Sequence, residues 1–144
     1  MFDPCRMAFK EWSVICAALA GGRQSLILRK GGIDEGRDGF TVAHRRFWLF
    51  PTQYHQAAQS ITTDGARWLE VAERDIPEPG WLKIDLLAEV EQVIAINDVQ
   101  ELGPLAPFHI WSEETIRRRF EYRQPGLVCL LVRIYHAATP WRVA

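Results

Sequence analysis

The residues best suited to chemistry lie between Leu26 and Gln56, in the run LILRKGGIDEGRDGFTVAHRRFWLFPTQYHQ. Lys30, Gly31 and Gly32 form a turn that can expose backbone N–H groups beside a cation, an arrangement suited to phosphate. Neither GxxxxGK[ST] nor GxGxxG is present, so this is not a nucleotide-binding loop of the common kinds. The alternative is a tight strand-ending turn with a solvent-facing lysine. His44, Arg45 and Arg46 precede an apolar run, and on a strand the two arginines point to opposite sides. His55 follows the Pro51–Thr52 break. No HxH or HExxH spacing accompanies these histidines, so no metal site is expected and each imidazole can simply bond a carbonyl or an acid. Asp34, Glu35 and Asp38 near Lys30 would suit a Mg²⁺-dependent nuclease. However, Lys30 precedes its acids, and no nucleophile elbow is present.

A second cluster runs from Trp111 to Arg123. Trp111 precedes a helix that carries Arg117, Arg118 and Arg119. Three consecutive arginines span most of one turn, so at most two share a target. Tyr122 and Trp111 could stack on unpaired bases while the arginines meet phosphate. The alternative is an amphipathic helix whose arginines face the acidic stretch Asp64–Glu101. Arg133 interrupts an apolar strand, so it is expected at a cleft or against a buried acid.

The whole chain constrains what these clusters can be. Its 144 residues suit one domain, expected to span 1–144 with residues 1–7 as a flexible leader. Hydrophobic residues make up 48%, enough for a core without metal or disulfide. The formal net charge of −1 argues against coating nucleic acid by charge alone. That balance hides an uneven distribution. Fourteen of the seventeen basic residues are Arg, which favours bidentate recognition of phosphate or carboxylate. Asp64–Glu101 holds ten acidic and three basic residues. Cys5, Cys16 and Cys129 form no CxxC pair, so cytoplasmic placement and buried Cys16 and Cys129 are expected. No long apolar segment suggests a membrane.

The elements follow from periodicity. Ala8–Ala20 reads as a helix with Trp12, Ile15, Cys16 and Leu19 on one face, stopped by Gly21 and Gly22. Ser25–Arg29 and Phe40–Ala43 read as short strands, and Arg46–Phe50 as a stronger one ended by Pro51. Tyr54–Ser60 reads as a helical turn. Asp64–Asp75 reads as a short helix capped by Thr63 or Asp64. Leu82, Ile84 and Leu86 alternate in Trp81–Leu87, and Val90–Ile96 continues as a second strand or as the same one bent at a bulge. Leu102 and Leu105 anchor a connection. Ser112 caps a helix over Glu113–Phe120. Leu127–His136 is the most apolar strand and is expected to be central. Trp12, Trp48 and Trp81 are expected in the core or at its rim. The order predicts an α+β fold, with a curved mixed or barrel-like β-sheet and short flanking helices.

The segments FKEWSVICAALAGGRQSLILRKGGI, HRRFWLFPTQYHQ, HIWSEETIRRRF and LLVRIYHAATP resemble a bacterial, largely cyanobacterial, family known as domain of unknown function 1802. The resemblance covers nearly the whole chain and implies no established chemistry. Some relatives join this domain to a restriction-endonuclease-like module, which implies a role beside DNA processing or defence. In segment order the chain more loosely resembles PUA, ASCH and EVE domains. That resemblance implies a PUA-like curved barrel and binding of RNA or modified bases.

The resulting expectation is a non-catalytic nucleic-acid or nucleotide-binding module without a cofactor. Its ligand-binding residues would be Lys30, His44, Arg45, Arg46, His55, Trp111, Arg119 and Tyr122. Its partner would be DNA or RNA with an unpaired or modified base. A metal-assisted nuclease using Lys30, Asp34 and Glu35 is one alternative, and a protein-interaction subunit is another.

Overall fold

The computed structural model describes residues 7–30, 45–53 and 60–143. Five strands form one mixed sheet in the order β1-β3-β4-β5-β2. Strand β1 is Ala8–Trp12, followed at once by helix α1, Ser13–Ala20. Strands β2 and β3 are Leu26–Arg29 and Arg46–Thr52. Helix α2 is Ala66–Arg74 and strand β4 is Leu82–Ile96. Two 3-10 turns, Val99–Glu101 and Gly103–Phe108, lead to helix α3, Glu113–Glu121. Strand β5 is Leu127–Val143. Among the described strands only β1 and β3 pair in parallel. Among the described residues the sheet is mixed and bulged, and no ladder joins its edge strands β1 and β2.

The expected helix over Ala8–Ala20 is half strand. Its face of Ile15, Cys16 and Leu19 is buried as foreseen, but Trp12 ends β1. Pairing with β3, from Ala8↔Trp48 to Trp12↔Thr52, overrides the local helical pattern. Pro51 does not end β3. The β4 ladder stops at Trp48, so the missing N–H of Pro51 breaks no bond with β4. Leu82–Ile96 is one strand, with register shifts at Ile84/Leu86 and Val90/Gln92. A larger irregularity lies opposite, where Leu86 pairs with His136 but Ile84 pairs with Trp141. Pro140 falls inside it, and β5 therefore outruns its expected end at His136.

The apolar half of β5 lies between β4 and β2, with Leu127, Cys129 and Leu130 buried. Cys16 and Cys129 are both buried and free. Helix α1 packs mainly on α2, closely enough that a Cβ on Gly21 would come within 2.2 Å of the Trp68 ring. Neither Thr63 nor Asp64 caps α2. Its N-cap is Gly65, whose N–H donates to Thr62 Oγ1 at 3.2 Å. Ser112 does cap α3, accepting from the Thr115 N–H at 3.2 Å. Leu102 is buried and Leu105 half-buried, as anchors should be. The tryptophans redistribute: Trp111 is the one sealed in the core, whereas Trp81 and Trp141 are exposed. Phe40–Ala43 and Tyr54–Gln59 lie outside the described residues.

Candidate ligand-binding site

A cleft of about 500 Å³ opens where β1, β2 and α3 meet. Lys10, Glu11, Trp12, Arg29, Lys30, Thr52 and Arg119 face it, over Leu28. Both ends of the Leu26–Gln56 block thus reach one place, Arg29–Lys30 from β2 and Thr52 from β3. Register explains the convergence. Trp12 lies opposite Thr52, and the Thr52 hydroxyl donates to the Glu11 carbonyl at 3.3 Å.

Arg119 forms the back of the cleft. Its Nη1 donates to the Leu28 carbonyl at 3.0 Å. Its guanidinium lies over the rings of Trp12 and Trp111, with Cζ 5.2 and 5.3 Å from their centroids. Burial lowers its pKa, with the Glu11 carboxylate opposing that shift. Glu11 is itself 7% exposed. Burial raises its pKa, while Arg119 and a hydrogen bond from the Trp12 N–H at 2.9 Å pull the other way.

Lys30 is half-buried and lines the cleft while held by backbone carbonyls. Its ammonium donates to the carbonyls of Phe120 at 2.6 Å, Gly126 at 2.9 Å and Gln124, closing the C-terminal end of α3. Carbonyl partners orient an ammonium without cancelling its charge. Among the described residues that line the cleft, Lys10, Arg29, Lys30 and Arg119 are basic and Glu11 is acidic.

The other expected site residues divide. Trp111 is 1% exposed and stands behind Arg119, so it offers no face for stacking. Tyr122 is exposed just past α3, with Arg123 Cζ 5.2 Å from its ring centroid. Arg45 donates to the Val90 carbonyl at 3.3 Å, and Arg46 lies opposite Glu89 across the β3–β4 ladder. Neither lines the cleft. His44, His55, Asp34, Glu35 and Asp38 lie outside the described residues. Among the described residues no group of three or more His, Cys, Asp or Glu could hold a metal ion. Arg117 and Arg118 pair with Glu113 and Glu114 one turn back rather than with the acidic stretch. Arg133 pairs at 3.1 Å with exposed Glu91, not with a buried acid. No helix among the described residues is long and apolar enough to cross a membrane.

Sequence reading missed Lys10, Glu11, Trp12, Arg29 and Thr52. Helical spacing disperses the first three around an axis. Strand pairing brings them to the cleft. In Phe9-Lys10-Glu11-Trp12 two apolar residues flank two charged ones instead of alternating with them, so the tetrapeptide carries no period-2 strand signal.

Two further cavities lie elsewhere on the protein. One of about 730 Å³ is lined by Ala17, Leu49, Pro51, Trp68, Val71 and Trp81, among others. The other, about 530 Å³, lies between the 3-10 turns and α3 and includes His109 and Trp111 in its wall. His109 Nδ1 and Trp111 Nε1 are buried with no hydrogen-bond partner. Such orphans cost about 1–3 kcal/mol each.

No curated protein sequence matches the chain. Similar solved structures include the ASCH protein of Zymomonas mobilis, at 16% identity and a TM-score of 0.54. That match covers 90% of this chain and 67% of the other. Two single-substitution mutants of the Zymomonas mobilis protein are also similar. One has 16% identity, a TM-score of 0.55 and coverage of 90% and 68%. The other has 17% identity, a TM-score of 0.56 and coverage of 93% and 73%. At this identity the likeness concerns the fold: an α+β, PUA/ASCH-like sheet with flanking helices. A family model matches residues 8–144, and the chain therefore belongs to the DUF1802 family, a domain of unknown function.

Proposed function

We propose that this domain is a small non-catalytic nucleic-acid or nucleotide-binding module that receives phosphate in the cleft of Lys10, Arg29, Lys30 and Arg119. One observation carries the reading: among the described residues, four basic side chains and one carboxylate line a single concavity where β1, β2 and α3 meet. Arg119 and Lys30 are held by backbone carbonyls and supply a fixed field. Lys10 and Arg29 lie at the cleft beside aromatic rings, over Phe50 and Phe9 respectively. Exposed Tyr122, at the end of α3, is the surface available for stacking a base. The ASCH-like fold supports this reading.

The test is fluorescence anisotropy with single-stranded RNA and DNA oligonucleotides across a salt series. Lys10→Ala/Arg29→Ala should weaken binding at least about tenfold and flatten the salt slope by about 1.4, for two lost phosphate contacts. Unchanged affinity and slope would remove the cleft as the site. If Arg45→Ala/Arg46→Ala alone abolished binding, the contact surface would lie on β3 instead.

A second reading has its own observation. Trp141 is 63% exposed and stacks on Trp48 with centroids 6.0 Å apart, while Trp81 and Tyr135 are also exposed on the β4–β5 side. Such a patch fits a protein partner. Nuclease-resistant co-purification of one protein, lost in Trp141→Ala, would support it.

A further inference from the structure

We propose that the ligand is an unpaired RNA or DNA segment rather than a single nucleotide. One phosphate enters the cleft, and the bases that follow stack along the adjoining outer face of the sheet. The inference rests on the cleft reading and extends it. Lys10 is the junction. It lines the cleft, and it also lies opposite Phe50 in the β1–β3 ladder, with Nζ 6.0 Å from the Phe50 ring centroid. Alternate residues of a strand share a face, and so do residues paired across a ladder. Trp48, two residues before Phe50, therefore lies on the same side. Phe47 and Leu49 between them are buried in the core, so that side is the outer one. Pairing carries the face onward from Trp48 to Leu87 and from Leu87 to Tyr135. Trp141 stacks on Trp48 with centroids 6.0 Å apart.

These groups are open to a ligand. Trp141 is 63% and Tyr135 43% exposed. Lys10 is exposed and Phe50 half-buried. Their spacing suits an extended strand. Two residues of β3 span about 6.7 Å, roughly twice the 3.4 Å step between stacked bases of a duplex. Bases drawn that far apart no longer stack on one another, and aromatic side chains take their place. From Phe50 through Trp48 to Trp141 is two such steps, the reach of about three nucleotides. The carboxylate on this face is no obstacle to phosphate, because Glu89 lies between Arg46 and Arg133 in the ladders. The Tyr135 hydroxyl reaches Glu89 at 3.4 Å, which orients its ring. A nucleic-acid strand accounts for both features at once, the basic cleft and the rings that lead away from it.

The experiment titrates the ¹⁵N-labelled protein with 5′-phosphorylated oligoadenylate and oligodeoxyadenylate of one, two, four and eight nucleotides, following the indole N–H resonances. In the RNA or the DNA series, affinity should rise at least about tenfold from one nucleotide to four. The Trp141 indole should shift with the tetranucleotide and not with the mononucleotide. Trp141→Ala/Tyr135→Ala, made at exposed positions, should abolish the gain and return the oligomers to the mononucleotide's affinity. Lys10→Ala/Arg29→Ala should weaken binding at every length. The path along the sheet is overturned if one and eight nucleotides bind alike, if the gain survives Trp141→Ala/Tyr135→Ala, or if Tyr122→Ala alone removes it. The cleft reading then still stands wherever binding depends on Lys10 and Arg29. If no length binds, or if Lys10→Ala/Arg29→Ala changes nothing, the cleft reading falls and the path falls with it. One protein captured by the wild type and lost in Trp141→Ala, with no gain in affinity with length, would give this face to a protein partner and overturn the proposal.

Discussion

Arg117 and Arg118 each reach one turn back along α3 to a glutamate, whereas Arg119, the next residue, turns inward between two tryptophans. The outer pairs are exposed at both partners. Water and salt screen them, and ion pairs of this kind contribute only about 0.3–0.5 kcal/mol each. Arg119 is largely withdrawn from water, bonded to the β2 backbone and close in charge to buried Glu11. Three identical side chains in sequence therefore do two different jobs. What distinguishes them is the 100° turn per residue of the helix, which sends one in three into the fold.

Removing the inner arginine is the strongest challenge to this contrast. Arg119→Ala should cost about 2–4 kcal/mol in urea unfolding, because it leaves the Leu28 carbonyl without its donor and deprives buried Glu11 of the larger of its two cationic neighbours. A loss below about 0.5 kcal/mol would erase the difference between the two faces.

A second measurement compares a buried base that keeps its charge with one that loses it. His109 has its pKa depressed to about 4 against 6.5 for an unperturbed imidazole, chiefly by burial. The unfolded chain takes up that proton first, so stability should fall as pH drops through 6.5 and continue falling to about 4. The loss should reach about 2 kcal/mol by pH 5. Glu11 works in the opposite sense. Its folded pKa is raised above 4.5, so its contribution is present at low pH and lost as pH rises through the folded value. His109→Gln should remove the acid-side loss and expose the Glu11 trend. Urea titrations of both proteins from pH 4 to pH 8 check the sign.

Lys30→Met keeps the stem and deletes the ammonium. It should cost about 1–2 kcal/mol by the same unfolding assay, since three carbonyls at the end of α3 lose one shared donor. The smallest effect belongs to the outer face. Arg117→Ala and Arg118→Ala should each lie within about 0.5 kcal/mol of wild type, and any effect should vanish in high salt.

These contrasts also explain what the sequence could convey. Ser112 with Glu113 and Glu114 announces α3, because capping and dipole preferences are local. The bent β4 was legible from the alternation of Leu82, Ile84 and Leu86 without a turn signal before Val90. Strand β1 was not, because its conformation depends on a partner some forty residues away. That error hid Lys10, Glu11 and Trp12 from the candidate site. Lys30 and Arg119 were legible as important but not in their roles. Whether a cation meets a ligand or a carbonyl depends on what the fold places opposite it. Trp111 was assigned to stacking because its position before a helix implies a surface, yet bridging to Ile61 and packing against Arg119 bury it.

The Lys30 ammonium has a consequence for motion. It ties the end of β2 to three backbone carbonyls at and just past the end of α3, those of Phe120, Gln124 and Gly126. Neither segment can open without breaking the same set of bonds, so the two should exchange amide hydrogens as a single cooperative unit. A ligand that drew the ammonium toward itself would loosen the end of α3 at the same moment. The lysine would then report occupancy of the cleft to the C-terminal end of α3, through hydrogen bonds rather than through any shift of the sheet.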